Sequence, residues 1–178
     1  MAADDATPGT RPGAADDGVP GAAGGPDDAV PPEIDALVRV GERFGRTVCW
    51  SEEDVRRFAD LAGDANPMHH DAAFAAATPV GGLIASGTQT MSAMMGTFAT
   101  WFTRRDDGVI RDALGMGFSF SLRAPVRVGD TLTIDWVVVS RTYRPRHRGW
   151  VVTARGTAST PAGVALEAEG TGLVRPAP

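Results

Sequence analysis

The chain has 178 residues, of which 43% are hydrophobic, so it is long enough for one buried core and too short for two ordinary domains. Residues 1–42 carry nine acids and two arginines, whereas residues 43–178 carry thirteen acids and fifteen arginines, with no lysine anywhere. This small positive excess, scattered along the chain, does not build the basic surface that nucleic acid binding requires, which excludes a nucleic acid partner.

Residues 1–32 consist mainly of Ala, Asp, Gly and Pro and contain no aromatic residue. Such a segment cannot bury enough apolar surface to offset the entropy lost on ordering. The composition predicts a disordered tail over 1–32 and one folded domain over 33–178. The alternative, a tether for another protein, lacks an apolar anchor.

The amino terminus has neither the positive region nor the apolar region of a secretory signal. Cys49 is the only cysteine, so the chain has no internal disulfide and no zinc-binding cysteine spacing. These features predict a reducing compartment, with the cytoplasm as the expected location.

The ordered part is predicted to begin near Ile34. Ser51 has the character of a helix N-cap, because the acids at 52–54 follow it in the first turn, and Gly63 is placed to end that helix. Turn-forming residues then predict a loop or tight turn over 64–70, followed by a short helix over 71–77.

No charged residue occurs from Ala72 to Thr103. The segment contains too many Ser, Thr, Gln and Pro residues for a membrane span, so no membrane contact is expected. Its stretch from Ser86 to Phe102 is long enough for a helix of four or more turns. A helix without charge on any face is predicted to be buried on all sides by protein.

After Gly115 the hydrophobic period changes from helical to alternating. Leu132, Ile134, Trp136 and Val138 alternate with residues of the opposite face, which is typical of a strand. Similar patterns at 117–123, 150–159 and 164–169 give at least four neighbouring strands joined by short turns. We therefore expect an α+β fold, in which an antiparallel sheet curls around the long helix.

The segment AGDANPMHHD at 62–71 is followed by Gly87 within GGLIASGTQT, and APVRVGDTL lies at 124–132. These stretches resemble the MaoC-like family of (R)-specific enoyl-CoA hydratases and dehydratases, whose signature is Gly-Asp-Xaa-Asn-Pro-Xaa-His-Xaa-Asp. The resemblance covers roughly residues 43–175 and implies a hot-dog fold. It also implies a hydro-lyase that hydrates a 2-enoyl thioester or dehydrates a 3-hydroxyacyl thioester.

By this resemblance, Asp64 and His69 hold and deprotonate the water that adds to the double bond, and return a proton to the α-carbon. Asn66 and Pro67 would fix the turn, and Asp71 would cap the following helix. Without the rest of the motif, these residues would be read as an ordinary turn beside a solvated histidine. A metal site built from Asp64, His69, His70 and Asp71 is disfavoured, because adjacent histidines point apart and no second ligand cluster exists.

Gly87 corresponds to the residue whose backbone N–H binds the thioester oxygen in the family, at the amino end of the central helix. The alternative is a glycine needed only for close packing of helix on sheet. The chain has Ser86 before this glycine where the best-known members have His, which bears on the substrate more than on the reaction. Ser86 and Asn66 are assigned supporting roles.

The turn RTYRPRHRGW at 141–150 concentrates arginines between two strands. Arg144, Arg146 and Arg148 could bind the phosphates of a coenzyme A or phosphopantetheine arm, because guanidinium groups suit bidentate phosphate contact. A solvated hairpin tip is the alternative reading.

Two other functions fit the same fold. A hot-dog thioesterase typically has a catalytic carboxylate on or beside the central helix, and none lies between Ala72 and Thr103. A catalytically silent acyl-binding subunit of a heteromeric hydratase is disfavoured by the intact Asp64 and His69. The resemblance also implies a homodimer, and no metal or redox cofactor beyond the coenzyme A or phosphopantetheine of the substrate.

Overall fold

A computed structural model describes residues 29–178. The predicted disordered tail lies outside these residues, apart from its last four. The helices are α1 (Pro32–Asp35), α2 (Glu52–Ala62), α3 (Ala72–Ala76) and α4 (Gly87–Thr103), with short 3-10 turns at Pro67–His69 and Pro145–His147. The strands are β1 (Arg43–Cys49), β2 (Arg111–Leu122), β3 (Thr131–Arg144), β4 (Gly149–Thr160) and β5 (Gly163–Pro176).

The five strands form one antiparallel sheet in the order β1-β3-β4-β5-β2, and α4 contacts every strand. The core lies between them: Phe98 of α4 packs edge-on against Phe118 of β2 and Trp136 of β3. Alternation in β3 buries Leu132, Ile134, Trp136 and Val138, as predicted. The predicted sheet wrapped around a long helix is confirmed, with one more strand, β1, than the sequence indicated.

The helix before the candidate site begins and ends where the sequence predicted. The Ser51 hydroxyl accepts a hydrogen bond from the Asp54 backbone N–H, and the Asp54 carboxylate accepts one from the Ser51 N–H. The Ser51 hydroxyl also donates a hydrogen bond to the Asp54 carboxylate, and this bond, together with the one from the Ser51 N–H, lowers the pKa of Asp54. Gly63 ends α2 in the left-handed conformation, with φ of 69°. The chain therefore turns sharply just before Asp64.

The prediction that the long helix is buried on all sides is wrong for the single chain. Met94, Phe98 and Phe102 of α4 are buried against the sheet. The opposite face is exposed and contains only uncharged residues: Thr88, Ser92, Met95, Gly96, Ala99, Thr100 and Thr103. The absence of charge on this helix is therefore not explained by burial within one chain.

The segment from α1 to β1 closes the end of the sheet where β5 finishes. Ile34, Leu37 and Val38 are fully buried, and the Trp150 indole N–H donates a 2.7 Å hydrogen bond to the Ile34 carbonyl. The Arg111 guanidinium, itself buried, donates to the Leu37 carbonyl at 2.8 Å. Helix α1 begins at Pro32, one residue before the predicted domain boundary.

This packing sets the limit for shortening the chain. A protein starting at Pro32 should keep its melting temperature and activity, because it retains all three buried side chains. A protein starting at Glu42 should lose several kcal/mol of stability, because each fully buried aliphatic side chain contributes about 1.5–3 kcal/mol. Thermal unfolding of the two proteins measures the difference, and equal melting temperatures would show that the segment is dispensable.

Candidate active site

The turn from Asp64 to His69 is held by its own polar side chains. The Asn66 side-chain oxygen accepts a hydrogen bond from the Met68 backbone N–H, which caps the 3-10 turn at Pro67–His69. The Asn66 backbone N–H in turn donates a 3.1 Å hydrogen bond to Asp64 Oδ1. Asn66 therefore shapes the turn and holds Oδ1 of the Asp64 carboxylate. Oδ2 accepts no hydrogen bond from this turn.

His69 is buried, with 5% of its surface exposed, and both ring nitrogens have defined surroundings. Nδ1 lies 2.8 Å from the Ile84 carbonyl oxygen, which can only accept a hydrogen bond, so Nδ1 carries a proton. In the neutral ring, Nε2 then carries the lone pair. Nε2 lies 3.4 Å from Asp64 Oδ2. The structure thus brings the two predicted residues together, and the basic nitrogen of His69 faces the Asp64 carboxylate.

His70 was not predicted to contribute, yet it fixes the other side of the same turn. Its Nε2 lies 2.7 Å from the Asp64 backbone carbonyl and must donate to it. The Arg56 side chain donates to the His70 carbonyl at 3.2 Å. Asp71 caps α3 by accepting the Phe74 N–H at 2.9 Å, as expected. Of the two adjacent histidines, His69 lines the site cavity, whereas His70 lines the neighbouring depression and supports the turn.

The amino end of α4 supplies unpaired N–H groups beside His69. Ser86 is the N-cap: its hydroxyl accepts the Gln89 N–H at 3.1 Å and lies 2.9 Å from the Thr88 hydroxyl. Ser86 is buried and occupied in this cap, so its support is structural. Among the described residues, the Gly87 and Thr88 N–H groups have no acceptor, as expected for the first turn of a helix. A Cβ at Gly87 would lie 2.9 Å from a Leu122 methyl carbon.

A cavity of about 320 Å³ joins His69 to the start of α4. The polar side chains that line it are His69, Thr90 and Arg123, beside Gly87, and its other lining residues are apolar: Ile84, Ala85, Leu122, Ala124, Pro125, Val126 and Ala165. Asp64 is absent from the wall and lines a neighbouring depression, so it reaches the cavity through His69. The wall residues at 124–126 belong to the second stretch that carried the family resemblance. Arg123 was missed because a single arginine at a strand end has no distinctive pattern.

The arginine turn lies at the other end of the sheet. In the β2–β5 ladder, cavity residue Leu122 pairs with Leu166, whereas Arg111 pairs with Pro176, beside the turn at 145–148. Ten residues from Leu166 to Pro176 span roughly 33 Å along the strand. An extended phosphopantetheine arm is about as long as five extended residues, roughly 17 Å. Arg144, Arg146 and Arg148 do not line the cavity of their own chain, and their predicted phosphate contact stays a prediction.

Two further properties concern the part of the chain that the structure describes, residues 29–178. Within it, no three His, Cys, Asp or Glu side chains are grouped closely enough to hold a metal ion. No helix in the same residues is long and apolar enough to cross a membrane.

Comparison with known proteins agrees with the geometry. The family model described as MaoC like domain matches residues 37–159. The chain is 32% identical to an (R)-specific enoyl-CoA hydratase of Rhodospirillum rubrum, over 77% of this chain and 88% of that protein. It is 39% identical to a 3-hydroxybutyryl-CoA dehydratase of Methylorubrum extorquens over 47% of this chain, but spans only 50% of that relative's length.

Among solved structures, an (R)-hydratase from A. caviae involved in PHA biosynthesis superimposes with a TM-score of 0.62 and 26% sequence identity, covering 79% of this chain and 98% of that one. The hot-dog fold expected from the sequence is thereby confirmed. Because the family model matches more than two thirds of this chain, and His69 and Gly87 share one cavity with Asp64 next to it, this chain belongs to the MaoC-like dehydratase family.

Proposed function

We propose that the chain catalyses the reversible hydration of a 2-enoyl thioester to a 3-hydroxyacyl thioester. One observation carries the proposal: a histidine with a basic nitrogen shares a cavity wall with the amino end of a helix that has unpaired N–H groups, and a carboxylate lies 3.4 Å behind that nitrogen. The histidine and the carboxylate can activate water, and the N–H groups can bind a developing oxyanion. The curated relatives named above carry names from the same reaction class.

In the hydration direction, one water molecule would lie beside His69 Nε2 and Asp64 Oδ2, which are 3.4 Å apart, and donate a hydrogen bond to each. His69 removes one proton from the water, and the oxygen forms a bond to C3 of the enoyl group. The π electrons move toward the thioester oxygen. The imidazolium, stabilised by the Asp64 carboxylate, then returns its proton to C2. Dehydration follows the same steps in reverse.

The negative charge that develops on the thioester oxygen would be stabilised by the Gly87 N–H. The amino end of a helix suits this task because its N–H groups are unpaired and the helix dipole is positive there. The apolar wall excludes water around the acyl chain and strengthens these interactions. The proposed steps are proton transfers, so they call for no metal or redox cofactor, and coenzyme A or phosphopantetheine enters with the substrate. We place the reaction in the cytoplasm, where an exposed thiol such as Cys49 stays reduced.

Incubation with a panel of trans-2-enoyl-CoA esters of different chain lengths tests the proposal. Loss of conjugated enoyl absorbance, with a 3-hydroxyacyl product, is the expected result. The same panel distinguishes a hydratase from a thioesterase, because only a thioesterase would release the free thiol of coenzyme A. No carboxylate lines the described cavity to support thioester hydrolysis. If no ester is turned over, whether it is carried by coenzyme A or by acyl carrier protein, the result would instead favour a catalytically silent acyl-binding subunit.

We further propose that the functional unit is a homodimer formed through β2. This strand is one edge of the sheet, and Leu114, Met116 and Leu122 on it are each more than half exposed. An exposed edge strand has unpaired backbone groups that can pair with another strand. The uncharged exposed face of α4 lies beside it, since α4 packs on β2. The other edge, β1, is shorter and carries Arg43 and Arg46.

Two charges in the middle of this edge should separate the subunits. We expect Leu114→Glu with Met116→Glu to give a monomer, because a two-fold axis would set like charges from both copies close together. Sedimentation velocity measures the change. Leu61→Glu is the matched control, since Leu61 is 85% exposed on α2 and should leave the dimer intact. A dimeric double variant would place the interface elsewhere.

A further inference from the structure

One polar side chain of the cavity wall has no role in the proposed reaction. Thr90 lies on α4, three residues after Gly87, and is only 3% exposed. Its backbone N–H donates to the Ser86 carbonyl at 3.3 Å. The hydroxyls of Thr97 and Thr103 on the same helix donate to the backbone carbonyls four residues earlier, at 2.8 and 2.9 Å. The Thr90 hydroxyl has no such bond and no other hydrogen-bond partner in residues 29–178.

This unpaired hydroxyl faces the cavity. Two side-chain atoms of residues 29–178 are completely buried without a hydrogen-bond partner, Gln89 Oε1 and Trp101 Nε1, and Thr90 Oγ1 is not one of them. Thr90 Oγ1 therefore contacts open space, and the open space that Thr90 lines is the cavity that it shares with His69 and Gly87. An unpaired hydroxyl in a largely apolar wall costs free energy unless a bound molecule supplies the partner. Its presence indicates that a polar atom of the ligand binds there.

Thr90 and Gly87 lie on the same face of α4. Residues three apart on a helix are neighbours, about 5–6 Å from each other. Side chains of a helix lean toward its amino end, so the Thr90 hydroxyl lies over the turn that begins at Gly87. Two donors less than about 5.5 Å apart can share one acceptor oxygen, because each hydrogen bond is about 2.8 Å long. An oxygen bound by the Gly87 N–H is therefore within reach of the Thr90 hydroxyl.

The other polar side chains of the described cavity wall are already engaged. The Nδ1–H of His69 donates to the Ile84 carbonyl, and Nε2 carries the lone pair that acts on water. The Arg123 guanidinium donates twice to one Glu167 carboxylate oxygen, at 2.7 and 3.0 Å, and is more than half exposed. A thioester oxygen has two lone pairs, of which a backbone N–H occupies one. Thr90 is the side chain that can donate to the other.

We propose that the Thr90 hydroxyl donates a hydrogen bond to the thioester oxygen of the substrate, beside the Gly87 N–H. The hydroxyl keeps its proton throughout the reaction. It stabilises the negative charge that develops on the oxygen as water adds to C3, and this charge is lost again when C2 is protonated. Because the charge is larger in the transition state than in the bound substrate, Thr90 acts on kcat more than on KM. Thr90 is thus a further catalytic residue, and the inference rests on the proposed function.

Thr90→Val keeps the shape of the side chain and removes the hydroxyl. We expect it to lower kcat for enoyl-CoA hydration by about 10–100-fold, the usual contribution of a hydrogen bond to a charged group, and to change KM by less than about threefold. Thr90→Ser keeps a hydroxyl and should retain most of the rate. Thr97→Val is the matched control, because it makes the same change at a buried threonine of the same helix that does not line the cavity. Equal rates in Thr90→Val and the wild type, or equal losses in Thr90→Val and Thr97→Val, would overturn the proposal.

Infrared difference spectroscopy measures the contact without the reaction. Butyryl-CoA is a saturated thioester that cannot be hydrated, and a carbon-13 label at its thioester carbonyl identifies the C=O stretching band of the bound molecule. A hydrogen bond weakens the C=O bond and lowers the frequency of this band. The band should therefore lie several wavenumbers higher in the Thr90→Val complex than in the wild-type complex, and Thr90→Ser should give the wild-type frequency. A residue that only supported the fold would change the rate without moving the band.

The outcomes of the two measurements separate this inference from the hydratase proposal. If the wild type hydrates no enoyl thioester but the band moves in Thr90→Val, the hydratase proposal fails and the contact of Thr90 with the thioester stands. If the wild type is active and the band has one frequency in both proteins, the hydratase proposal stands and the contact is overturned. Failure of the wild type to bind butyryl-CoA would also count against the contact.

Discussion

Replacement of either member of the Asp64 and His69 pair is expected to lower kcat for enoyl-CoA hydration by about 10²–10⁴, the usual contribution of a positioned general acid or base. Asp64→Asn keeps the shape of the side chain and removes its charge. His69→Ala removes the basic nitrogen that lies 3.4 Å from the Asp64 carboxylate. Stopped-flow or steady-state absorbance assays at saturating substrate measure the loss.

The two losses should not add. Both residues would hold one water molecule, so losing either disables the unit, and the double variant should be little slower than the slower single one. Asp106→Asn is the matched control, because it makes the same chemical change on an exposed carboxylate that lines neither the cavity nor the depression beside it. Additive losses would assign separate roles to Asp64 and His69. Near wild-type rates in both single variants would leave them as turn residues and remove the hydratase proposal.

The largest expected effect on stability follows from a glycine in the sheet. Gly156→Ala should destabilise the protein by about 3 kcal/mol, because the new Cβ would lie 2.5–2.8 Å from ring atoms of Trp136. The ring has little freedom to move, since Trp136 is 1% exposed and its indole N–H donates to the Met94 carbonyl at 3.2 Å. A melting temperature lower by roughly 6–12 °C is expected for a domain of this size.

Gly82→Ala serves as the control for this substitution. A Cβ at Gly82 meets nothing within 4 Å, and the residue does not have positive φ, so its melting temperature should change little. An unchanged melting temperature for Gly156→Ala would mean that α4 and β3 can separate enough to admit a methyl group, in which case the core is looser than its aromatic contacts indicate.

Local signals predicted α2, α3 and α4 with ends close to those observed, whereas the short helix α1 was not predicted. Ser51 and Gly63 work through rules that involve only neighbouring residues, so the sequence was sufficient to predict the bounds of α2. Strand β1 was missed because it lies at the sheet edge and only Phe44 in it is buried. Its Gly45 would suggest a turn, yet it is required because a Cβ there would collide with the Ile134 carbonyl oxygen. That reason becomes visible only when β1 is paired with β3.

Whether the position of a site residue could be predicted depended on how close its partners lie in the sequence. The bond from Asn66 to Met68 joins neighbours, and a turn could be predicted there. The contact of His69 with Ile84 crosses fifteen residues, and the distance of the arginine turn from the cavity depends on the register of the whole β2–β5 ladder. Hydrophobic patterns do not fix such distances. The uncharged α4 illustrates the same limit, since lack of charge indicates a covered face but not which chain covers it.

The hydrogen bond from His69 to the Ile84 carbonyl has a consequence for stereochemistry. A carbonyl oxygen cannot take up the proton on Nδ1, so Nε2 is the nitrogen that exchanges protons with water and substrate. The proton that leaves the water and the proton that arrives at C2 then pass through one atom on one side of the bound substrate. Hydroxyl and hydrogen would therefore add to the same face of the double bond, and a single enantiomer of the alcohol would form.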